Sequence, residues 1–242
     1  MLKLPARERT APKTTGARLQ PAVGSRGKRA AVRTVPKPRN AKNAAKSAAT
    51  RAAIIDAALD EFAARGFAAT RLDDVARRAG VAKGTIYVHF RDKETLFEEL
   101  VRAALGPLLR GMEETPSPDV PLRVFVEGLV DHFVKEILGT RRKHVVRLIV
   151  TEGGRFPSLA QIYYREVIKR AMAIVRGAVE RAIARGEIEG DTLQRFPQLF
   201  VAPGILALVW DMLFARFEPL DAGALMRAHV DLVFAAIGKR RK

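Results

Sequence analysis

Between Thr70 and Phe90 the chain sets two short runs of helical spacing on either side of one glycine, and this limits what the region can fold into. Leu72, Val75, Ala76 and Ala79 fall three or four residues apart and so share one helical face; beyond Gly80, Ile86 and Phe90 repeat that spacing. Gly80 follows the last apolar position of the first run, where a left-handed residue closes a helix, and Val81 can then pack back onto it. Thr70 stands where an N-cap is needed, with Asp73 near the positive helix end. Two helices joined by a tight glycine turn are the smallest unit able to lay a helix in a DNA major groove.

The second run is composed for touching a partner. Ile86 and Phe90 hold it against a small core, leaving Lys83, Gly84, Thr85, Tyr87 and His89 outside, as donors and flat rings suited to phosphate oxygens and base edges. Lys83 and His89 are expected to clamp phosphates, Thr85 and Tyr87 to meet base edges, and Gly84 to let the backbone approach the DNA. Asp92 is placed to cap the next helix. Lys93 then lies in a first turn where the helix dipole disfavours a cation, which makes most sense if a phosphate sits there too.

These residues belong to a longer pattern from about Ser47 to Leu108: Phe62-Ala-Ala-Arg-Gly-Phe67, Thr70-Arg-Leu-Asp-Asp-Val-Ala76, Ala79-Gly-Val81, Lys83-Gly-Thr-Ile-Tyr-Val-His-Phe90 and Lys93-Glu-Thr-Leu-Phe97. The pattern resembles the DNA-binding domain of TetR-family transcriptional regulators. In that family the second residue of the aromatic pair in the recognition helix is most often Tyr or Trp; Val88 stands there in this chain, moving weight for base contact onto Thr85 and Tyr87, with Thr70 and Arg71 flanking from the preceding helix. The resemblance implies a C-terminal helical domain that forms a homodimer through its last two long helices, about Asp191–Ile237, and holds a small effector in an internal pocket. The implied partners are therefore a palindromic double-stranded DNA operator and a small molecule.

Charge divides the chain unevenly. Residues 1–51 carry 14 Lys and Arg against the single acid Glu8, a net of +13, which leaves +4 of the total +17 for the other 191 residues. Residues 1–46, mixing Pro, Gly, Ala, Lys and Arg without periodicity, are expected to be a disordered basic arm that either adds salt-dependent DNA affinity or is merely solvated. The chain contains no cysteine, which removes disulfides and thiolate chemistry. Its longest apolar run, Leu199 to Trp210, is 12 residues and broken by Pro203-Gly204, so no membrane span is expected and the cytoplasm is the expected compartment.

Taken in order, a first helix is expected from Ser47 or Thr50 to Arg65, ended by Gly66, and a fourth from Asp92 to Leu105, ended by Gly106-Pro107. The reading head so defined covers 47–108, with its helix-turn-helix at about 71–90. After turn material from Glu113 to Pro121, the second domain, 119–242, is expected to contain helices at Leu122–Leu138, Arg141–Gly153, Ser158–Arg185 with Ser158 as cap, Asp191–Phe217 bent or divided at Pro203, and Ala222–Ile237. No strand signal interrupts this series, so the class is all-α.

Catalytic chemistry finds no centre here. The four histidines lie on separate predicted helices without a second ligand at metal spacing, and no nucleophile elbow or phosphate-binding glycine loop occurs. No cofactor is expected. Phe125, His132, Phe133, Glu152, Tyr163, Trp210 and Asp211 mix aromatic and polar groups on helices that should surround a cavity, and they are the candidate effector residues. The expected function is a dimeric, effector-released repressor; the alternative is a constitutive architectural protein held to DNA by its basic arm.

Overall fold

A computed structural model describes residues 38–114 and 119–237, and every regular element among them is helical. The head consists of α1 (Pro38–Ala69), α2 (Leu72–Arg78), α3 (Lys83–His89) and the start of α4 (Lys93–Glu114). The body contains α5 (Leu122–Phe133), extended by a π turn at Val134–Leu138, then α6 (Lys143–Glu152) and α7 (Pro157–Tyr163). A second π turn at Tyr164–Ile168 carries α7 into α8 (Lys169–Ala184), followed by the short α9 (Thr192–Arg195), a 3-10 turn at Pro197–Phe200, α10 (Ala202–Leu213) and α11 (Ala222–Ile237).

The head is built around aromatic rings. Phe62 stacks on Phe67 at 5.5 Å between centroids, Phe97 from α4 meets both edge-on at 6.1 Å, and Phe156 from the body reaches Phe67 at 5.2 Å. Edge-on and offset packing of this kind suits the ring quadrupoles, and the participation of Phe156 makes head and body share one continuous core. A second core joins α5, α8 and α11 through Val126, Val130, Val179, Ala182, Met226 and Val230. Bidentate pairing of Arg102 on α4 with Glu166 on the second π turn, at 2.9 and 3.1 Å, also ties the two parts together.

Several boundaries differ from those expected, each for a local reason. Pro38–Lys46, placed in the disordered arm, is the start of α1, and residues 41–46 within it are exposed; its alanines favour helix even without an apolar face to bury. The rest of the arm, 1–37, lies outside the described residues. Pro107 does not end α4, because Leu108, Leu109 and Met112 continue the spacing of Leu105 into the body core and that burial outweighs one missing hydrogen bond. Pro157, not Ser158, begins α7, since its missing N–H is one that a first turn leaves unpaired anyway. The expected Asp191–Phe217 helix divides at Phe196-Pro197, and Pro203 sits harmlessly in the first turn of α10. The last helix has the expected bounds.

Candidate nucleic-acid interface and effector cavity

Gly80, at φ 67°, closes α2 by donating to the Arg77 carbonyl at 3.2 Å while Val81 donates to Ala76 at 3.0 Å, the paired bonds of a Schellman stop. This turn fixes α3 against the head through Ile86, fully buried, and Phe90, 1% exposed. Tyr87 and Val88 are turned outward, 49% and 82% exposed, together with Lys83 and Gly84. An aliphatic side chain as open as Val88 lies on the face that a groove would cover.

Asp73 organises that face. Its carboxylate accepts from Lys83 Nζ at 2.7 Å and from the Tyr87 hydroxyl at 3.2 Å. The Lys83 hydrogen bond holds the Asp73 carboxyl below its ordinary range, and Asp73 in turn raises Lys83. Two groups expected to meet DNA are thus pre-set by α2. Arg71 is exposed and no described residue pairs with it. Gly84 has open space where a Cβ would stand. Thr85 and His89 are half-buried at the edge of the same surface, the His89 ring 6.3 Å from Phe90.

Two of the expected DNA residues have other work. Thr70 is 2% exposed and does not cap α2, whose N-cap is Arg71; its hydroxyl donates to the Gly66 carbonyl at 2.7 Å, with the Glu61 carbonyl 3.2 Å away. Lys93 Nζ meets the carbonyls of Phe67, Ala68 and Thr70 at 2.7, 3.0 and 3.3 Å and lies 4.6 Å from the Phe67 ring centre. An ammonium has three hydrogens, so these carbonyls satisfy it in full and no phosphate is needed to explain its position. Asp92 does cap α4, accepting from Thr95 N at 2.7 Å.

In the body, a cavity of about 140 Å³ is lined by α4, α5, α6, the α7–α8 segment, α10 and α11. A hollow of about 430 Å³ on the α4–α5 side shares Met112, Leu129 and His132 with it. Of the seven candidate effector residues, His132, Phe133 and Tyr163 line the cavity and Phe125 lines the hollow. The His132 Nε2 is buried without a hydrogen-bond partner. Burial pushes the Tyr163 phenol up to about 12, so its hydroxyl stays protonated.

Glu152, Trp210 and Asp211 lie elsewhere. The Glu152 carboxylate accepts from Phe67 N at 2.7 Å and Ala68 N at 3.2 Å, bracing the head. Trp210 donates to the Glu218 carbonyl at 2.8 Å and packs edge-on against Phe214, while Asp211 pairs with Lys143 at 3.1 Å. The α4 wall of the cavity, Leu105, Leu108, Leu109 and Met112, is absent from the sequence-predicted residues because Gly106-Pro107 signals a helix end; the unbroken three-four spacing across the proline is the signal that points to it.

Among the described residues no group of three His, Cys, Asp or Glu is placed to hold a metal, and no helix is long and apolar enough to cross a membrane.

The family model of bacterial regulatory proteins of the tetR family matches residues 54–100, and that of the tetracyclin repressor-like C-terminal domain matches 121–233. Among curated proteins, the HTH-type transcriptional repressor BepR of Brucella suis is 30% identical over 155 residues, 61% of this chain and 72% of its own length. The HTH-type transcriptional regulator SrpR of Pseudomonas putida is 28% identical over 147 residues, 61% and 67% of the two chains. A crystal structure of a TetR-family regulator from Mesorhizobium loti superposes with a TM-score of 0.64 at 25% identity, covering 79% of this chain and 98% of its own.

Proposed function

Since the chain belongs to the TetR family of bacterial regulatory proteins and is a DNA-binding transcriptional regulator, we propose that it acts as a homodimeric repressor which reads a palindromic operator with two copies of α3 and releases it when a small molecule enters the body cavity. The observation that carries this reading is α4. Its first turn is pinned to the head by Lys93, and its last turns supply Leu105, Leu108, Leu109 and Met112 to the cavity wall. One helix therefore feels both the groove-facing surface and whatever fills the cavity, which is the differential contact that a ligand-driven shift between two states requires.

On the DNA side, Arg71, Lys83 and His89 take phosphates, Gly84 allows close approach, and Thr85 and Tyr87 meet base edges. Lys83 leaves Asp73 to do so, an exchange of one anion for another that a phosphate in the groove favours. Dimerisation uses the Asp191–Ile237 region. In support of this, Phe196, Ile205, Leu206, Leu213, Phe214 and Leu232 are each at least 40% exposed, apolar side chains of the kind that a partner surface covers.

A genome-wide binding map of the tagged protein tests the reading. Discrete sites with two half-sites about one helical turn apart, roughly 34–36 Å, are the expected result. Sequence-indifferent coating of DNA would overturn it in favour of affinity supplied by the basic arm.

A further inference from the structure

The body cavity is unusually uniform in its chemistry. Of the 21 residues that line it, only His132 and Tyr163 have polar side chains, and no Lys, Arg, Asp or Glu is among them. A charged ligand would leave water without a counter-ion on the wall, at a desolvation cost that an apolar pocket cannot offset. The same wall offers two hydrogen-bonding groups: the His132 Nε2 is buried without a partner, and the Tyr163 hydroxyl, kept protonated by burial of the phenol, makes no bond to a described residue. Buried polar atoms without partners are rare enough in folded proteins to call for a reason.

From these observations we infer that the effector is an uncharged, mainly apolar molecule whose single hydroxyl or similar neutral polar group is bound between His132 and Tyr163. The inference rests on the reading of this cavity as the effector site. The volume of about 140 Å³ matches one aromatic ring, since a dry cavity of roughly 150 Å³ accommodates a benzene. Larger members of the class extend past His132, which stands at the boundary between the cavity and the outer hollow, into the space beside Val120, Val124, Phe125 and Gly128. Hydroxyl and imidazole are complementary in either tautomer: a ligand hydroxyl donates to a bare Nε2 or accepts from a protonated one, and Tyr163 donates to its oxygen.

Four one-ring probes of similar size separate the possibilities on the full-length protein: benzene, phenol, benzoate and benzylammonium, titrated by calorimetry with thermal shift as a second readout. Phenol is expected to bind about tenfold more tightly than benzene, and neither ion to bind saturably over the same range. In His132→Leu and in Tyr163→Phe the advantage of phenol should shrink towards one while benzene still binds, which shows that the cavity survives the change. Two variants are used so that a folding defect in one does not decide the matter.

An ion that binds as well as phenol overturns the inference, as does an advantage for phenol that persists in both variants, or the absence of binding by every probe. An operator gel shift run with the same probes keeps the two readings apart. Phenol that binds as described without releasing DNA leaves the cavity chemistry standing and removes its regulatory role. Release of DNA by the ions alone does the reverse.

Discussion

Gly66 and Glu152 form a joint whose strength can be worked out from the geometry and tested by a double-mutant cycle. Gly66 has φ 74° and ψ 171°, a region that only glycine occupies readily, so an alanine there costs about 1–3 kcal/mol in backbone strain. A Cβ on Gly66 would also stand 2.2 Å from Glu152 Oε1, which no side chain can tolerate. Gly66→Ala must therefore expel the carboxylate that accepts from Phe67 N and Ala68 N. Hydrogen bonds to a charged group contribute about 1.5–3 kcal/mol each; with Ala68 N open to water, about 2–3 kcal/mol is expected for the pair.

Urea unfolding should accordingly show Glu152→Ala less stable by about 2–3 kcal/mol and Gly66→Ala by about 3–6 kcal/mol, the strain and the lost bonds together. The double variant should be no worse than Gly66→Ala alone, because the bonds can be lost only once, giving a coupling of about 2–3 kcal/mol. Strict additivity of the two substitutions would refute the joint, and so would a Glu152→Ala protein as stable as the original.

Other perturbations follow from the same structure. Lys93→Met should lower stability by about 2–3 kcal/mol in urea, by orphaning three carbonyls at the end of α1; a variant of unchanged stability with weakened DNA binding would restore the phosphate role. Arg102 holds the Glu166 carboxyl down to about 2, below its ordinary 4.5, so this pair contributes stability above about pH 4.5 that is lost as pH falls towards 2. In a thermal melt series across that window Arg102→Met should show a shallower decline than the original protein, and an identical slope would remove the pair from the account. Tyr87→Phe and Thr85→Ala should change operator preference at particular base pairs by about 1–3 kcal/mol, whereas Arg71→Ala should weaken all sequences alike, as binding to single-base operator variants will show. Leu206→Asp should yield a folded monomer in light scattering, and a persistent dimer would move the interface elsewhere.

The head was largely legible in the sequence because its signals are local: the spacing of Leu72, Val75 and Ala76, the stop at Gly80 and the cap at Asp92 all act within one or two turns. What escaped was non-local. Nothing within a few residues of Lys93 shows that its ammonium will find the carbonyls of Phe67, Ala68 and Thr70 some 23 to 26 residues earlier, and the same holds for Glu152 reaching back 85 residues to Phe67. Local signals misled where tertiary burial outweighed them, as at Pro107, where a strong breaker lies inside a helix kept together by its core contacts. In the cavity, His132, Phe133 and Tyr163 were within reach because aromatic and polar groups on inward helical faces are few. Trp210 and Asp211 lie outside it because their partners, the Glu218 carbonyl and Lys143 on α6, are contacts that the spacing within α10 does not reveal.

Pro107 also has a mechanical meaning. Without its N–H the carbonyl of Ala103 has no helical donor, so resistance to bending is least near this point, and the helix behaves as two stiff arms about a fulcrum. At 1.5 Å per residue the arm towards Lys93 is about 21 Å long and the arm towards Glu114 about 10 Å. A ligand that pushes Met112, about 7.5 Å from the fulcrum, aside by about 1 Å thus swings the far end by about 3 Å, and the two-fold axis of a dimer would apply the swing in opposite senses to its two heads. A proline that looks like a flaw in the helix nearly triples the stroke.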